Sequence, residues 1–97
     1  MSEFLLSVYK RKNYRIYDTD KGYIVHNTKY SFKDHNVFFK NFDTCKYIIN
    51  LSLNHIIPKN LSEYLLFSLI TLSDDEEYKC EIRKILNKKK GRKKNEK

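Results

Sequence analysis

The stretch YRIYDTDKGYIVHNT, residues 14–28, decides the fold of this chain. Two short runs rich in aromatic and β-branched residues, Tyr14–Tyr17 and Tyr23–Thr28, flank Asp18-Thr19-Asp20-Lys21-Gly22, a turn cluster ending in glycine. Such runs suit a pleated surface and such clusters reverse the chain, so the segment predicts a β-hairpin. Its register stays open, because pairing Ile16 with Ile24 or with Val25 leaves an apolar face either way. A slip of one residue inverts every side chain. Upstream, Phe4–Tyr9 reads as a strand or as the first turns of a short helix. Val37–Phe39 reads as a fourth extended piece.

Downstream the period changes to that of a helix. Phe42-Asp43 followed by Cys45, Ile48, Ile49, Leu53 and Ile56 predicts a helix with Asp43 as N-cap and Phe42 with Tyr47 as a hydrophobic staple. Pro58 is expected to end it and to hold Ile57 extended. Asn60 is expected to open a second helix, with Glu63 at the capping-box position. Leu61, Tyr64, Leu65, Leu66, Phe67, Leu69, Ile70 and Leu72 leave that helix almost no polar face, which calls for cover by the core or by a second subunit. Ser73-Asp74-Asp75-Glu76 predicts a third helix start, capped by Ser73 with Glu76 closing the box and acids against the positive end of the helix dipole. Tyr78, Ile82, Ile85 and Leu86 form its apolar stripe, and Gly91 is expected to stop it.

The expectation is therefore an α+β fold: an N-terminal β-hairpin or small antiparallel sheet followed by three helices, winged-helix-like in its ingredients. Ninety-seven residues suffice for one modest core. Residues 1–87 read as a single α+β domain and 88–97 as a basic flexible tail.

The net charge of +8 is divided into blocks. Residues 1–33 carry seven Lys/Arg against three acids, and residues 34–60 are nearly balanced. Residues 61–82 hold six acids and Lys79 alone, whereas 83–97 hold nine Lys/Arg and only Glu96. Sixteen lysines against four arginines, nine asparagines and no alanine match an AT-rich coding sequence, so position says more than total charge. An uneven distribution of this kind points to a polyanionic partner met by a particular surface.

Little in the sequence points to catalysis, metal or cofactor. His26, His35 and His55 share no ligand spacing, and Cys45 and Cys80 form no C-x-x-C pair. Both thiols are expected buried on helix faces in a reducing cytoplasm. Asp34-His35-Asn36 has the His-Asn pair of a nuclease without its metal ligands or flanking motif, and reads as an exposed loop. With only Gly22 and Gly91, no glycine-rich phosphate cradle can be built. Asp74-Asp75-Glu76-Glu77 reads as a cap and a solvated face before it reads as a cation site. Phe4-Leu5-Leu6 is too short for a signal peptide and no run reaches the ~18 residues of a membrane span, so a cytoplasmic protein with no membrane partner is expected. The sequons at Asn50 and Asn60 are read as accidental.

Helix, turn and helix in residues 42–90 supply material for a helix-turn-helix, but neither usual reading helix suits the task. The second is too apolar to present polar side chains to base edges, and the third opens with four acids. The hairpin region is the better candidate. Lys10-Arg11-Lys12-Asn13-Tyr14-Arg15 joins four cations to an amide and a ring, and a two-stranded ribbon fits the major groove. Arg11, Asn13 and Arg15 are assigned to bases, and Lys10, Lys12, Lys21, Lys29 and Lys33 to phosphates. Lys88, Lys89, Lys90 and Arg92 add affinity without sequence information. A plain basic sheet face is the structural alternative.

Several stretches also carry a resemblance: Gly-Tyr-Ile-Val-His-Asn-Thr-Lys (22–29), Lys-Tyr-Ile-Ile-Asn-Leu-Ser (46–52), Ile-Pro-Lys-Asn-Leu-Ser-Glu-Tyr-Leu-Leu (57–66) and Leu-Ser-Asp-Asp-Glu-Glu-Tyr (72–78). They resemble small proteins of mobile elements from clostridia and related Firmicutes, and within these the TcpK type of relaxosome accessory protein of conjugative plasmids. That resemblance implies a dimeric winged-helix protein that binds double-stranded DNA at a transfer origin beside a relaxase. The early hairpin departs from ordinary winged-helix order. Two other classes stand beside this one: a protein-binding module, such as an inhibitor of a host nucleic-acid enzyme acting through residues 74–77, and an RNA-binding protein stacking bases on Tyr14, Tyr17, Tyr23 and Tyr30.

Overall fold

The computed structural model of the protein describes residues 7–95, with side chains through Lys89. Four strands, β1 (Ser7–Arg11), β2 (Tyr14–Asp18), β3 (Tyr23–Asn27) and β4 (Asn36–Phe39), form an antiparallel meander in chain order. Three helices follow, α1 (Phe42–Asn54), α2 (Glu63–Leu72) and α3 (Glu76–Asn95). The fold is α+β, a four-stranded sheet and then three helices. Of the first segment, Ser7–Tyr9 is strand; Phe4–Leu6 lie outside the described residues.

The hairpin register is the Val25 one: Ile16 faces Val25, Arg15 faces His26 and Tyr17 faces Ile24. This choice puts Tyr14, Ile16, Val25, Val37 and Phe39 on one face, where they meet the buried faces of α1 and α2. Pairing Ile16 with Ile24 would have sent Val25, fully buried here, to the opposite face. A bulge between Ser7 and Tyr9 restores the alternation in β1, so that Tyr9 faces inward against the ring of Phe42. Gly22 permits the closest approach of the β2–β3 turn to β4. A Cβ there would lie 2.7 Å from the Phe39 carbonyl oxygen and 2.7 Å from the Phe38 ring.

Each helix is capped two residues away from the expected residue. Asn41, not Asp43, caps α1, its side-chain oxygen accepting from the Asp43 and Thr44 amides. Phe42 is thus the first helical residue and packs on Tyr9 and Tyr23 rather than stapling to Tyr47, which is exposed. The helix ends at Asn54, before Pro58 acts, because His55 turns left-handed at φ 54°. Ser62 caps α2, and Asn60 forms a left-handed turn residue at φ 62° ahead of it. Asp75 caps α3 by accepting from the Glu77 and Tyr78 amides, while Ser73 braces the Asp75 amide. In every case a second Asn, Ser or Asp within two residues satisfied the same sequence rule, and tertiary packing selected between them.

α3 continues through Gly91 to Asn95, so the expected stop does not occur and the boundary drawn at residue 88 falls inside a helix. Cys45 is buried, as expected, but Cys80 stands exposed on α3 and neither is in a disulfide. Among the described residues, no helix is long and apolar enough to cross a membrane.

The two layers are tied by polar groups as well as by burial. The Tyr14 hydroxyl shares a 2.6 Å hydrogen bond with the Ser52 hydroxyl of α1. Asn27, fully buried at the end of β3, donates to the Leu72 carbonyl at the end of α2 at 2.7 Å. The Tyr78 hydroxyl donates to the Ile56 carbonyl at 2.6 Å and so seals the end of α1 against α3. These three buried polar groups are tolerated because each has a partner.

Candidate nucleic-acid interface

The β1–β2 connection is a two-residue turn, Lys12-Asn13, closed by the Arg11–Tyr14 pair. Lys12 carries a left-handed φ of 55°, a conformation glycine takes freely and lysine does not. Arg15 supports it by donating from its guanidinium to the carbonyls of Lys12 at 2.8 Å and Tyr14 at 3.0 Å. The amide and hydroxyl of Thr28 both donate to the Asn13 carbonyl, at 2.7 and 2.9 Å. These bonds bind the turn to the start of the β3–β4 connection, which carries Lys29 and Lys33. Lys10, Arg11, Lys12, Lys29 and Lys33, all exposed, therefore share one end of the sheet.

Four expected contact residues are engaged, wholly or in part, elsewhere. Tyr14 is 2 % exposed with its hydroxyl on Ser52, so it has no ring face to offer a ligand. Its burial also pushes its pKa up. Asn13 turns its amide inward, donating to the side-chain oxygen Oδ1 of Asn27 at 2.5 Å. Arg15 spends one guanidinium nitrogen on the turn. Lys29 is ion-paired to Asp74 at 2.6 Å; the pair raises the lysine pKa and lowers that of the carboxylate.

Other expected contacts lie far from this end. Lys21 sits in the β2–β3 turn at the opposite end of the sheet, a five-residue strand or ~17 Å away. Lys88 is exposed and Lys89 donates to the Leu61 carbonyl at 3.4 Å. Both stand roughly 20 Å along α3 from Asp75. The side chains of Lys90 and Arg92 lie outside the described residues.

The acidic segment is largely used by the fold. Asp74 holds Lys29, Asp75 caps α3 and lies 3.3 Å from His55, and Glu76 pairs with Lys79. Among the described residues no group of three or more His, Cys, Asp and Glu side chains is arranged to hold a metal ion. His35 stacks on Tyr30 at 4.2 Å, and its carbonyl meets the His26 ring nitrogen at 3.0 Å.

The outward face of the sheet is what sequence reasoning missed. Strand pairing aligns Lys10, Arg15, His26 and Asn36 in one row across all four strands, and Ser7, Tyr17, Ile24 and Phe38 in the next. Phe32, from the β3–β4 connection, lies edge-on to Tyr17 at 5.6 Å and to His26 at 5.0 Å. The signal was the alternation within each strand, but the rows appear only once the register is known. No protein-family model matches the chain, and neither a curated protein nor a solved structure matches it.

Proposed function

We propose that the protein binds double-stranded DNA through the basic end of its sheet and has no reaction of its own. The observation that carries this reading is Lys12, a cation kept at a left-handed turn position where glycine would cost less. Arg11 is the residue left free to read base edges, since Asn13 and Arg15 are engaged in holding the turn. Lys10, Lys12 and Lys33 meet phosphates, and Lys29 does so in competition with Asp74. Lys88 and its neighbours on α3 add unspecific affinity from a separate surface.

The resemblance to mobile-element proteins supplies the setting, an accessory role at a plasmid transfer origin beside a relaxase. A homodimer fits this role: Tyr64 and Phe67 of α2 remain 55 % and 47 % exposed and are the rings a second copy would cover.

Fluorescence anisotropy with transfer-origin duplex and with a scrambled duplex, each at two salt concentrations, tests the reading. Arg11→Ala is expected to erase the difference between the duplexes. Lys12→Ala is expected to weaken both alike and to lower the salt slope by about one. Unchanged binding in both variants would overturn the assignment of this end, and a protein-only partner would then be the better reading.

A further inference from the structure

We propose that the outward face of the sheet binds one unpaired strand of nucleic acid, with bases on Tyr17, Phe32 and Phe38 and phosphates on Lys10 and on the guanidinium nitrogens that Arg15 does not spend on the turn. This goes beyond duplex binding and does not depend on it, although Lys10 adjoins the basic turn.

An antiparallel sheet covered on one side alternates apolar residues toward the core with polar residues toward water. Here α1 and α2 pack only on the face that carries Ile16, Val25 and Phe39. The opposite face nevertheless has an apolar row, Tyr17, Ile24 and Phe38, on three adjacent strands. Phe38 is 38 % exposed and Phe32 is 41 % exposed, so neither ring is finished by packing within the chain. Alternate residues of a strand lie ~6.6 Å apart, which sets the aromatic row directly beside the row that holds Lys10 and Arg15. Among the described strand residues those two are the charged side chains of this face, and no carboxylate interrupts them.

The occupant must therefore offer flat apolar surfaces and negative charge at short, regular intervals. A single strand does so. A duplex hides its base faces in its own stack, and a second copy of this face would bring Lys10 and Arg15 against like charges. Base stacking on rings tolerates any sequence, because every base has a π-face, and sugar identity enters through the 2′-hydroxyl.

The test uses the full chain with labelled oligo(dU), oligo(U) and a duplex of matching length. Phe38→Leu and Phe32→Leu keep apolar bulk and remove the ring, with thermal unfolding as the check on folding. Each is expected to weaken oligonucleotide binding about tenfold and to leave duplex binding unchanged. Oligo(dU) has the base of oligo(U) without its 2′-hydroxyl, so the tighter of these two identifies the sugar. Quenching of tyrosine fluorescence on binding, reduced in Tyr17→Leu, reads the stacking directly, since the chain has no tryptophan. Ring-deleted variants that fold and bind both oligonucleotides like the parent overturn the proposal, as does a parent that binds neither. Loss of duplex binding alone, in Lys12→Ala, bears on the basic end and leaves this face standing.

Discussion

Asn27 on the last position of β3 donates its side-chain amide to the Leu72 carbonyl, the final residue of α2, across 2.7 Å. The same side chain accepts from Asn13 at 2.5 Å and from the Lys29 amide at 2.9 Å. One buried residue thus fastens the basic turn, the β3–β4 connection and the helix layer together. The sheet end proposed to meet DNA is held by the core as well as by the bonds of its own short turn.

Asn27→Ala removes all three bonds and leaves the Leu72 carbonyl without this donor in a buried site. The loss expected is about 2 kcal/mol or more in unfolding free energy, measured by urea denaturation. Asn27→Asp should also destabilise, because its carboxylate cannot donate to the carbonyl.

Lys12→Gly separates stability from recognition. It relieves the left-handed backbone and is expected to raise stability by up to ~1 kcal/mol. The same change should weaken duplex binding, as read by anisotropy at low salt. A glycine variant that binds as well as the parent would show that the lysine charge is not used.

Asp74→Asn frees Lys29 from its 2.6 Å partner. The pair is partly exposed, so stability should change little at neutral pH. Duplex affinity should rise and its salt dependence steepen, by about one further ion if Lys29 turns to a phosphate. The carboxylate pKa is depressed by Lys29, so the pair's small stabilising effect is present above the ordinary carboxylate pKa. It fades as pH falls through the lowered value.

Gly22→Ala forces a methyl against the backbone oxygen of Phe39, which cannot swing aside as a side chain would. A loss of about 1–3 kcal/mol is expected in the same denaturation assay.

The two cysteines should differ in chemistry. Cys80 is exposed and should react with a thiol reagent in the native protein, whereas Cys45 should react only on unfolding. Burial pushes the Cys45 thiol from 9.0 up to about 11. Its contribution to stability is whole below pH 9 and is lost as pH rises through 11, because the unfolded chain releases that proton first. Burial acts in the same direction on Tyr14 and Tyr78. Urea midpoints should fall across pH 9–11, less steeply in Cys45→Ala.

Much of this architecture is legible from residue spacing. The turn cluster at 18–22 and the aromatic runs beside it specify a hairpin, and the helical periods after Phe42 specify three helices. The caps at Asn41, Ser62 and Asp75 each stand two residues from the expected one, because another residue able to cap lies that close. Gly91 failed as a stop because a glycine ends a helix only when the backbone turns left-handed there, and the chain turns left-handed at Lys12, His55 and Asn60 instead. Exposed lysines of the candidate site could be counted in advance. Their company could not, since Lys29 finds Asp74 forty-five residues away and Tyr14 finds Ser52 thirty-eight residues away.

The sequence by itself determined which elements form, because periodicity and turn chemistry act over a few neighbouring residues. Only the tertiary structure decided which side chains remain free to bind. It chose the Ile16–Val25 register, buried Tyr14, turned Asn13 inward, and left Tyr17, Ile24 and Phe38 facing outward as one row. Register and burial depend on contacts between distant parts of the chain, and a shift of one residue would have exchanged the two faces of the sheet.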